Sequence, residues 1–331
     1  MSGAAHPSSP PSTRLRIVLL GATGTIGRAT LRALVARGDD VVCFVRAGSD
    51  STPLHGATVR IVDVADADAL ARDGFRGERF DAVLSCMASR TGAPRDAWAI
   101  DHRAHLAVLA AAEAAGVSHF VLLSAICVQK PLLAFQHAKR AFEQALIASG
   151  LTYSIVRPTA FFKSLSGQIA RVRQGKPFLL FGDGRLTACK PISDDDLATY
   201  LVDCLHHEAR RNRILPIGGP GPAITPREQG EYLFARLGQP PRFREVPVGL
   251  LDGIIGVLGT AGWIIPPLAA KAELARIGRY YATESMLVLN PATGRYDAQA
   301  TPSTGRETLF DYYDQVLAGA PVAALGDHAV F

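Results

Sequence analysis

Short apolar runs alternate with longer segments of helical periodicity between residues 15 and 173. Short apolar runs bounded by turn residues are typical of buried strands, and the longer segments predict helices. The predicted strands are Leu15–Leu20, Val41–Arg46, Thr58–Val62, Ala82–Ser85, Phe120–Ser124 and Thr152–Arg157. The predicted helices are Thr25–Arg37, Ala67–Arg72, Asp96–Ala115, Leu133–Ser149 and Phe161–Arg173.

This strict alternation predicts an α/β fold, in which helices cover both faces of a doubly wound parallel sheet of the Rossmann type. We expect residues 15–175 to form a nucleotide-binding domain. Residues 1–14 are rich in Pro, Ser and Ala and are expected to be a disordered leader. Beyond residue 175 the pattern breaks up, which favours a smaller substrate-binding region over 176–331, with segments that return to the first domain.

Composition narrows the class of protein further. Apolar residues make up 48% and charged residues 20% of the 331 positions, as in a globular enzyme. The net charge of +5 is spread along the chain, so no nucleic-acid partner is expected. The five cysteines have no CxxC spacing and the nine histidines no ligand spacing, so we expect reduced thiols and no metal. A bacterial cytoplasmic location is predicted.

A glycine-rich turn follows the first predicted strand and precedes the first predicted helix. In this position Gly21 permits a tight turn, Gly24 lets the backbone approach a pyrophosphate, and Gly27 lets helix and strand pack closely. The helix N-terminus adds unpaired N–H groups and a partial positive charge. The turn therefore predicts a dinucleotide site that includes Gly21, Thr23, Gly24, Thr25, Ile26 and Gly27.

The end of the second strand indicates which dinucleotide is bound. An NAD site requires a carboxylate there, but the strand ends in Arg46. Arg46 is placed to pair with a 2′-phosphate, and Arg28 can join it. We therefore expect NADPH. Asp63, after the third strand, is expected to accept from the adenine amino group. Ser85, at the end of the fourth strand, is expected to border the adenosine ribose or the nicotinamide end.

These features resemble the short-chain dehydrogenase/reductase superfamily, in its extended or atypical branch. That resemblance implies a strand-end Ser and a Tyr-x-x-x-Lys helix, with the Tyr donating a proton to a carbonyl. Here Ser124 ends the fifth strand and Lys139 is present, but Phe135 stands where the Tyr belongs. Either the protein has lost catalysis, or it delivers hydride to something other than a carbonyl.

Three further segments resemble the divinyl chlorophyllide a 8-vinyl reductase family: Lys130–Lys139, Arg157–Leu165 and Tyr280–Met286. Membership implies NADPH-dependent reduction of the C8 vinyl group of a tetrapyrrole in chlorophyll or bacteriochlorophyll synthesis. Two alternatives stay open. One is a non-catalytic NADPH-binding redox sensor or assembly factor of the same fold. The other is a different C=C or ether reductase of the atypical branch.

The resemblance also implies roles for individual residues. Lys139 and Ser124 are the expected catalytic residues, and Lys139 also binds the nicotinamide ribose. Weaker candidates for the proton donor are Ser124, Lys190 and Tyr281. The remaining implied contacts are Arg157 and Pro158 to the cofactor, and Phe135, Phe161, Phe162, Lys163, Lys190 and Tyr281 to the substrate, with Lys163 or Lys190 meeting the propionate.

The run from Val248 to Ala270 is almost wholly apolar apart from Asp252. Its length approaches that of a membrane span, but the recurring Gly253, Gly256, Gly259 and Gly262 and the pair Pro266-Pro267 argue against one. Three interpretations of this run remain: a pigment-facing cap, a surface that touches the photosynthetic membrane, and a plain buried helix. The protein is expected to be a monomer or a weak homo-oligomer.

Overall fold

A seven-stranded parallel sheet lies at the centre of the computed structural model, which describes residues 14–262 and 266–320. The sheet order is β3-β2-β1-β4-β5-β6-β8. Two smaller pairings, β7 with β9 and β10 with β11, lie outside it. The strands are β1 Arg16–Leu20, β2 Asp40–Val45, β3 Thr58–Ile61, β4 Ala82–Ser85, β5 His119–Leu123, β6 Thr152–Pro158, β7 Phe178–Phe181, β8 Arg213–Ile217, β9 Phe243–Val246, β10 Val288–Leu289 and β11 Tyr296–Asp297.

The helices cover both faces of this sheet and build the C-terminal region. They are α1 Thr25–Arg37, α2 Ala67–Ala69, α3 Pro94–Ala97, α4 His105–Ala114, α5 Ala134–Ala148, α6 Phe162–Leu165, α7 Ile169–Arg173, α8 Asp194–His206, α9 Pro226–Arg236, α10 Val248–Gly262, α11 Pro266–Thr283 and α12 Leu309–Leu317. Segments of π-helix extend α2 over Leu70–Phe75 and join α3 to α4 over Trp98–Ala104.

The central strands are buried on both faces, as the apolar runs predict. In β1, Ile17 and Leu19 pack into the core beneath α1 and α8. Val18 and Leu20 point the other way, into the core shared with α4 and α5. Successive side chains of a strand point to opposite faces, so a run without polar residues requires cover on both sides.

The predicted α/β fold with its parallel sheet is confirmed, and the ends of the six predicted strands differ from the structure by at most one residue. The sheet gains a seventh strand, β8, from the C-terminal half. α8, from the same half, packs on α1. Most of the predicted leader, residues 1–13, lies outside the described residues.

The prediction of one continuous helix over Phe161–Arg173 is wrong. The chain forms α6 and then α7, separated by Ser166, Gly167 and Gln168. The Ser166 hydroxyl donates to the carbonyl of Lys163, a local bond that competes with helix continuation. The carbonyl of Leu165 accepts a hydrogen bond from the Tyr313 hydroxyl at 2.7 Å, which ties this break to α12.

The apolar run Val248–Ala270 spans α10 and the start of α11. The two helices pack against each other and run antiparallel, since Asp252 of α10 pairs with Arg279 of α11. Residues 263–265 lie outside the described residues. In the described ranges, no helix combines the length and hydropathy needed to cross a membrane.

Candidate active site

A cavity of about 920 Å³ opens at the carboxyl ends of the central strands. Ligand sites of doubly wound sheets form at this edge, where the strand order reverses. Part of its wall is the glycine turn with Arg46. Another part is apolar and is formed chiefly by the C-terminal region. That apolar wall includes Phe135, Phe161, Leu165, Phe178, Phe181, Leu186, Ile224, Ile277, Tyr281 and Met286.

The glycine turn is packed too tightly for side chains at two of its three glycines. A Cβ on Gly21 would lie 2.6 Å from the Cys86 backbone, and Gly21 has a φ of +72°. A Cβ on Gly27 would lie 2.0 Å from the Gly21 carbonyl oxygen. These two glycines therefore hold α1 against β1 and β4.

Gly24 differs, because among residues 14–262 and 266–320 only the Gly21 carbonyl oxygen comes near the space beside it. Its φ of −75° suits any residue, and the nearest atom to an added Cβ is 3.4 Å away. Gly24 precedes the first turn of α1, whose N–H groups lack partners within the helix. The open space over these N–H groups fits a pyrophosphate, so the turn has the shape that a dinucleotide requires.

Arg46 follows β2 and lies in the cavity wall, without a carboxylate at the strand end. Arg28 is not among the lining residues. Hydrogen bonds to Thr52 lower the pKa of the exposed Asp50 carboxyl, and the charge of Arg28 lowers it further. The Asp63 side chain accepts from the Ala65 N–H, and its neighbour Val64 lines the cavity instead. Arg46 is therefore the member of this predicted set that reaches the site.

The Ser85 side chain points away from the cavity, contrary to the prediction. It is fully buried, and its hydroxyl lies 2.9 Å from Nε2 of His105. Burial lowers the pKa of His105 to about 4, so the ring is neutral at this contact. The loop Cys86–Arg90 after Ser85 lines the cavity, because the chain leaves the strand there.

Lys139 lies in the cavity wall, one helical turn from Phe135. Its ammonium nitrogen is 3.0 Å from Oδ1 of Asp101, a carboxylate that is 1% exposed. Burial alone would raise the pKa of Asp101, but the Lys139 charge and the Ser89 hydrogen bonds outweigh it, and the pKa falls. The sequence analysis missed Asp101, although it lies four residues after the buried Ala97 and three before the buried Ala104.

Ser124 also lines the cavity, but its hydroxyl donates to the buried Glu143 carboxylate. The same carboxylate pairs with Arg157, whose Nε lies 3.0 Å from Oε1. Arg157 is therefore engaged behind the wall, and the neighbouring Pro158 is the residue that lines it. Glu143 was missed as well, although its spacing of four from Lys139 places the two on one face of α5.

The adjacent Phe161 and Phe162, both predicted to contact the substrate, lie in different parts of the structure. Phe161 lines the cavity, whereas Phe162 is 4% exposed and packs against Tyr312 in the C-terminal core. Tyr281 lines the cavity. Burial, with Cys127 and Tyr280 nearby, raises the pKa of Tyr281 well above 10.

Lys163 and Lys190, the two candidate cations for the propionate, also lie in different places. The Lys190 ammonium donates to the Thr301 carbonyl at 2.9 Å and is not among the lining residues, so it does not reach the predicted ligand. Lys163 lines the cavity, and its ammonium donates to the Thr25 hydroxyl at 3.1 Å. Lys163 therefore lies beside the glycine turn.

Comparison with known proteins identifies the family. Residues 21–208 match a family described as NAD(P)H-binding. The chain is 49% identical to the chloroplastic divinyl chlorophyllide a 8-vinyl-reductase of Cucumis sativus, over 95% of this chain and 79% of the relative. The enzyme of the same name from Oryza sativa is 48% identical, over 95% of this chain and 82% of the relative. The chain belongs to the divinyl chlorophyllide a 8-vinyl-reductase family.

A solved structure supports the fold. The NADPH-dependent quinone oxidoreductase of Escherichia coli, in complex with NADPH, superposes with a TM-score of 0.67 at 18% identity. The match covers 91% of this chain and 99% of the other. This likeness confirms the fold, and NADPH is consistent with it and with the NAD(P)H-binding family match.

The prediction of a bacterial cytoplasmic location is wrong. Four relatives with 46–49% identity are all named as chloroplastic enzymes, which points to a plastid rather than a bacterial cytoplasm. Composition and cysteine spacing report a reducing compartment but cannot distinguish one such compartment from another. The part of the prediction that concerns bacteriochlorophyll is likewise not supported by those names.

Gly24→Ala is expected to weaken NADPH binding while the protein stays folded. The added methyl occupies the space over the α1 N-terminus and costs only about 1 kcal/mol of stability, as alanine replaces glycine at an N-cap. Gly27→Ala is the matched contrast, because its methyl meets backbone and should cost about 1–3 kcal/mol or more. Urea unfolding and NADPH fluorescence titration measure the two effects. Unchanged NADPH affinity in Gly24→Ala would contradict this assignment.

Arg46→Ala is expected to weaken NADPH far more than NADH. A charge-assisted bond to the 2′-phosphate is worth about 1.5–3 kcal/mol, or about 10- to 150-fold in Kd. Competitive titration with both dinucleotides measures the ratio. Arg37→Ala, an exposed arginine at the other end of α1, should leave both affinities unchanged. An equal loss for both dinucleotides in Arg46→Ala would exclude the 2′-phosphate contact.

Proposed function

We propose that this chain reduces the 8-vinyl group of divinyl chlorophyllide a to ethyl, with NADPH as the reductant. The observation that carries the proposal is the chain's membership of the 8-vinyl-reductase family. The cavity supports it, since its volume and apolar wall suit a flat macrocycle beside a dinucleotide. Reduction of a vinyl group adds one hydride and one proton across the double bond.

The chain's own residues would act mainly by positioning. NADPH, when bound, supplies the hydride. The glycine turn would hold the pyrophosphate, and Arg46 would hold the 2′-phosphate of the adenosine. Lys139 would contact the nicotinamide ribose. Phe135 and Phe161 would offer flat apolar surfaces to the macrocycle. Holding donor and acceptor at reacting distance is worth several kcal/mol of the barrier.

The absence of a phenol at position 135 is compatible with this reaction. A tyrosine in that place would protonate a carbonyl oxygen, whereas here the proton must reach carbon. Phe135 provides none. Ser124 is a weaker proton donor than its position predicts, because its hydroxyl proton is held by Glu143. Water or the Tyr281 phenol, which lines the cavity, would supply the proton.

The reaction is tested by mixing the purified protein with NADPH and divinyl chlorophyllide a. We expect the Soret band to shift to the blue as the monovinyl product forms, because one conjugated vinyl group is lost. The same mixture without NADPH is the control. Tight NADPH binding with no shift, in air and without oxygen, would favour the sensor or assembly factor instead.

Phe135→Tyr is expected to keep kcat within about fivefold of the parent, because proton transfer does not start from this position. A well-placed general acid contributes about 100-fold or more. A rise in kcat of that size in Phe135→Tyr would contradict the mechanism. The variant adds one hydroxyl to a side chain that already faces the cavity, so folding is not expected to change.

We also propose peripheral contact with the photosynthetic membrane through α10. Leu250, Ile254 and Val257 recur at helical spacing and are 56%, 39% and 69% exposed. The opposite side of α10 packs on α11, whose Ile277 and Tyr281 line the cavity. A bilayer is a suitable occupant, since an apolar pigment partitions into it and the adjoining helix borders the pigment cavity. The oligomeric state stays a prediction.

Replacing Leu250 and Val257 together by Ser should reduce co-sedimentation with vesicles of phosphatidylcholine and phosphatidylglycerol. Each apolar side chain removed costs about 1.5–3 kcal/mol of insertion, so the bound fraction should fall about tenfold or more. Ile61→Ser, at an exposed position on the edge strand β3, is the control and should bind like the parent. Equal sedimentation of parent and double variant would exclude α10 as the contact.

A further inference from the structure

Lys163 lies in the four-residue helix α6, directly after β6, at the carboxyl edge of the sheet. Its ammonium donates to the hydroxyl of Thr25, the first residue of α1. Both residues line the same cavity. The charge is thus held at the helix N-terminus that receives the cofactor phosphates. Arg46, which follows β2, lies at the same edge of the sheet but on the other side of β1.

Asp194, the first residue of α8, also lines this part of the cavity. Burial and the neighbouring Asp195 raise the pKa of Asp194, and Lys163 and Arg32 act to lower it. A carboxylate here would repel a pyrophosphate, which carries two negative charges of its own. The partial charge of the α1 N-terminus, about half an elementary charge, cannot offset both. The ammonium of Lys163 lies at Thr25 and its charge acts to lower the pKa of Asp194, so Lys163 would offset this repulsion.

We propose that Lys163 binds the pyrophosphate of the cofactor, rather than the propionate of the pigment. On binding, its ammonium would exchange the Thr25 hydroxyl for a phosphate oxygen, a stronger charge-assisted bond. The inference rests on NADPH binding at the glycine turn and is independent of whether the vinyl group is the acceptor.

This contact would also join the cofactor to the pigment wall. Phe161 and Leu165, on either side of Lys163, line the apolar part of the cavity. The Leu165 carbonyl is held by the Tyr313 hydroxyl. A pyrophosphate bound to Lys163 would therefore hold the segment Phe161–Leu165 at one point, and the Tyr313 hydroxyl holds it at a second. Bound NADPH should tighten the binding of the pigment.

The test compares Lys163→Met with the parent in the full-length protein, using NADPH and NADH. Because both dinucleotides carry the pyrophosphate, both Kd values should rise by a similar factor, about 10- to 150-fold. This outcome differs from the one expected of Arg46→Ala, which separates the two dinucleotides. Lys163→Arg should recover much of the affinity, and Lys176→Met, at an exposed lysine beyond α7, should change neither Kd.

The pigment supplies the opposing measurement. Titration of divinyl chlorophyllide a into the cofactor-free protein should give the same Kd for Lys163→Met and the parent. A weaker pigment Kd with unchanged dinucleotide Kd values would assign Lys163 to the propionate and overturn the proposal. Unchanged affinity for all three ligands would overturn it as well. Should Lys163→Met fail to fold, Lys163→Gln is measured in the same way. These affinities need no turnover, so an inactive protein in the Soret assay leaves their meaning intact.

Discussion

The close approach of α1 to β1 determines where this protein can bind its ligands. At Gly27 the helix lies so near the Gly21 carbonyl that no side chain fits between them. That contact directs the N-terminus of α1 at the carboxyl edge of the sheet and leaves the space beside Gly24 open. Arg46, Lys139 and Lys163 all line the cavity that opens at this N-terminus, at the carboxyl edge of the parallel sheet.

The first six strands, their parallel direction and the glycine turn follow from local pattern alone, whereas the seventh strand, β8, was not predicted. Residues 17–20 are all apolar, so the fold must cover both faces of β1, and all four are buried. The directions of single side chains beyond the strand ends do not follow from pattern. Phe161 and Phe162 are adjacent and chemically alike, yet one lines the cavity and the other enters the C-terminal core. Which of them does so depends on how α6 docks against α12, a contact between distant parts of the chain.

The buried carboxylates of the site were within reach of the sequence. Asp101 lies beside the buried Ala97 and Ala104, and Glu143 lies one position after the buried Phe142. A buried charge in such a position requires a partner. The partners, Lys139 and Arg157, come from other elements. Lys190 shows the opposite case, since nothing in its neighbourhood predicts that Thr301, far along the chain, would hold its ammonium.

The pairing of Lys139 with Asp101 limits what Lys139 can contribute to the reaction. If the ammonium gave its proton to the pigment, the Asp101 carboxylate would remain buried without its cation. Breaking a buried ion pair in this way costs about 3–5 kcal/mol, which would be added to the barrier. Lys139 is therefore better suited to a constant positive charge beside the nicotinamide ribose than to proton donation. The proton that completes the ethyl group must then come from another group or from water in the cavity, since the Phe135 side chain, which also lines it, has no proton to give.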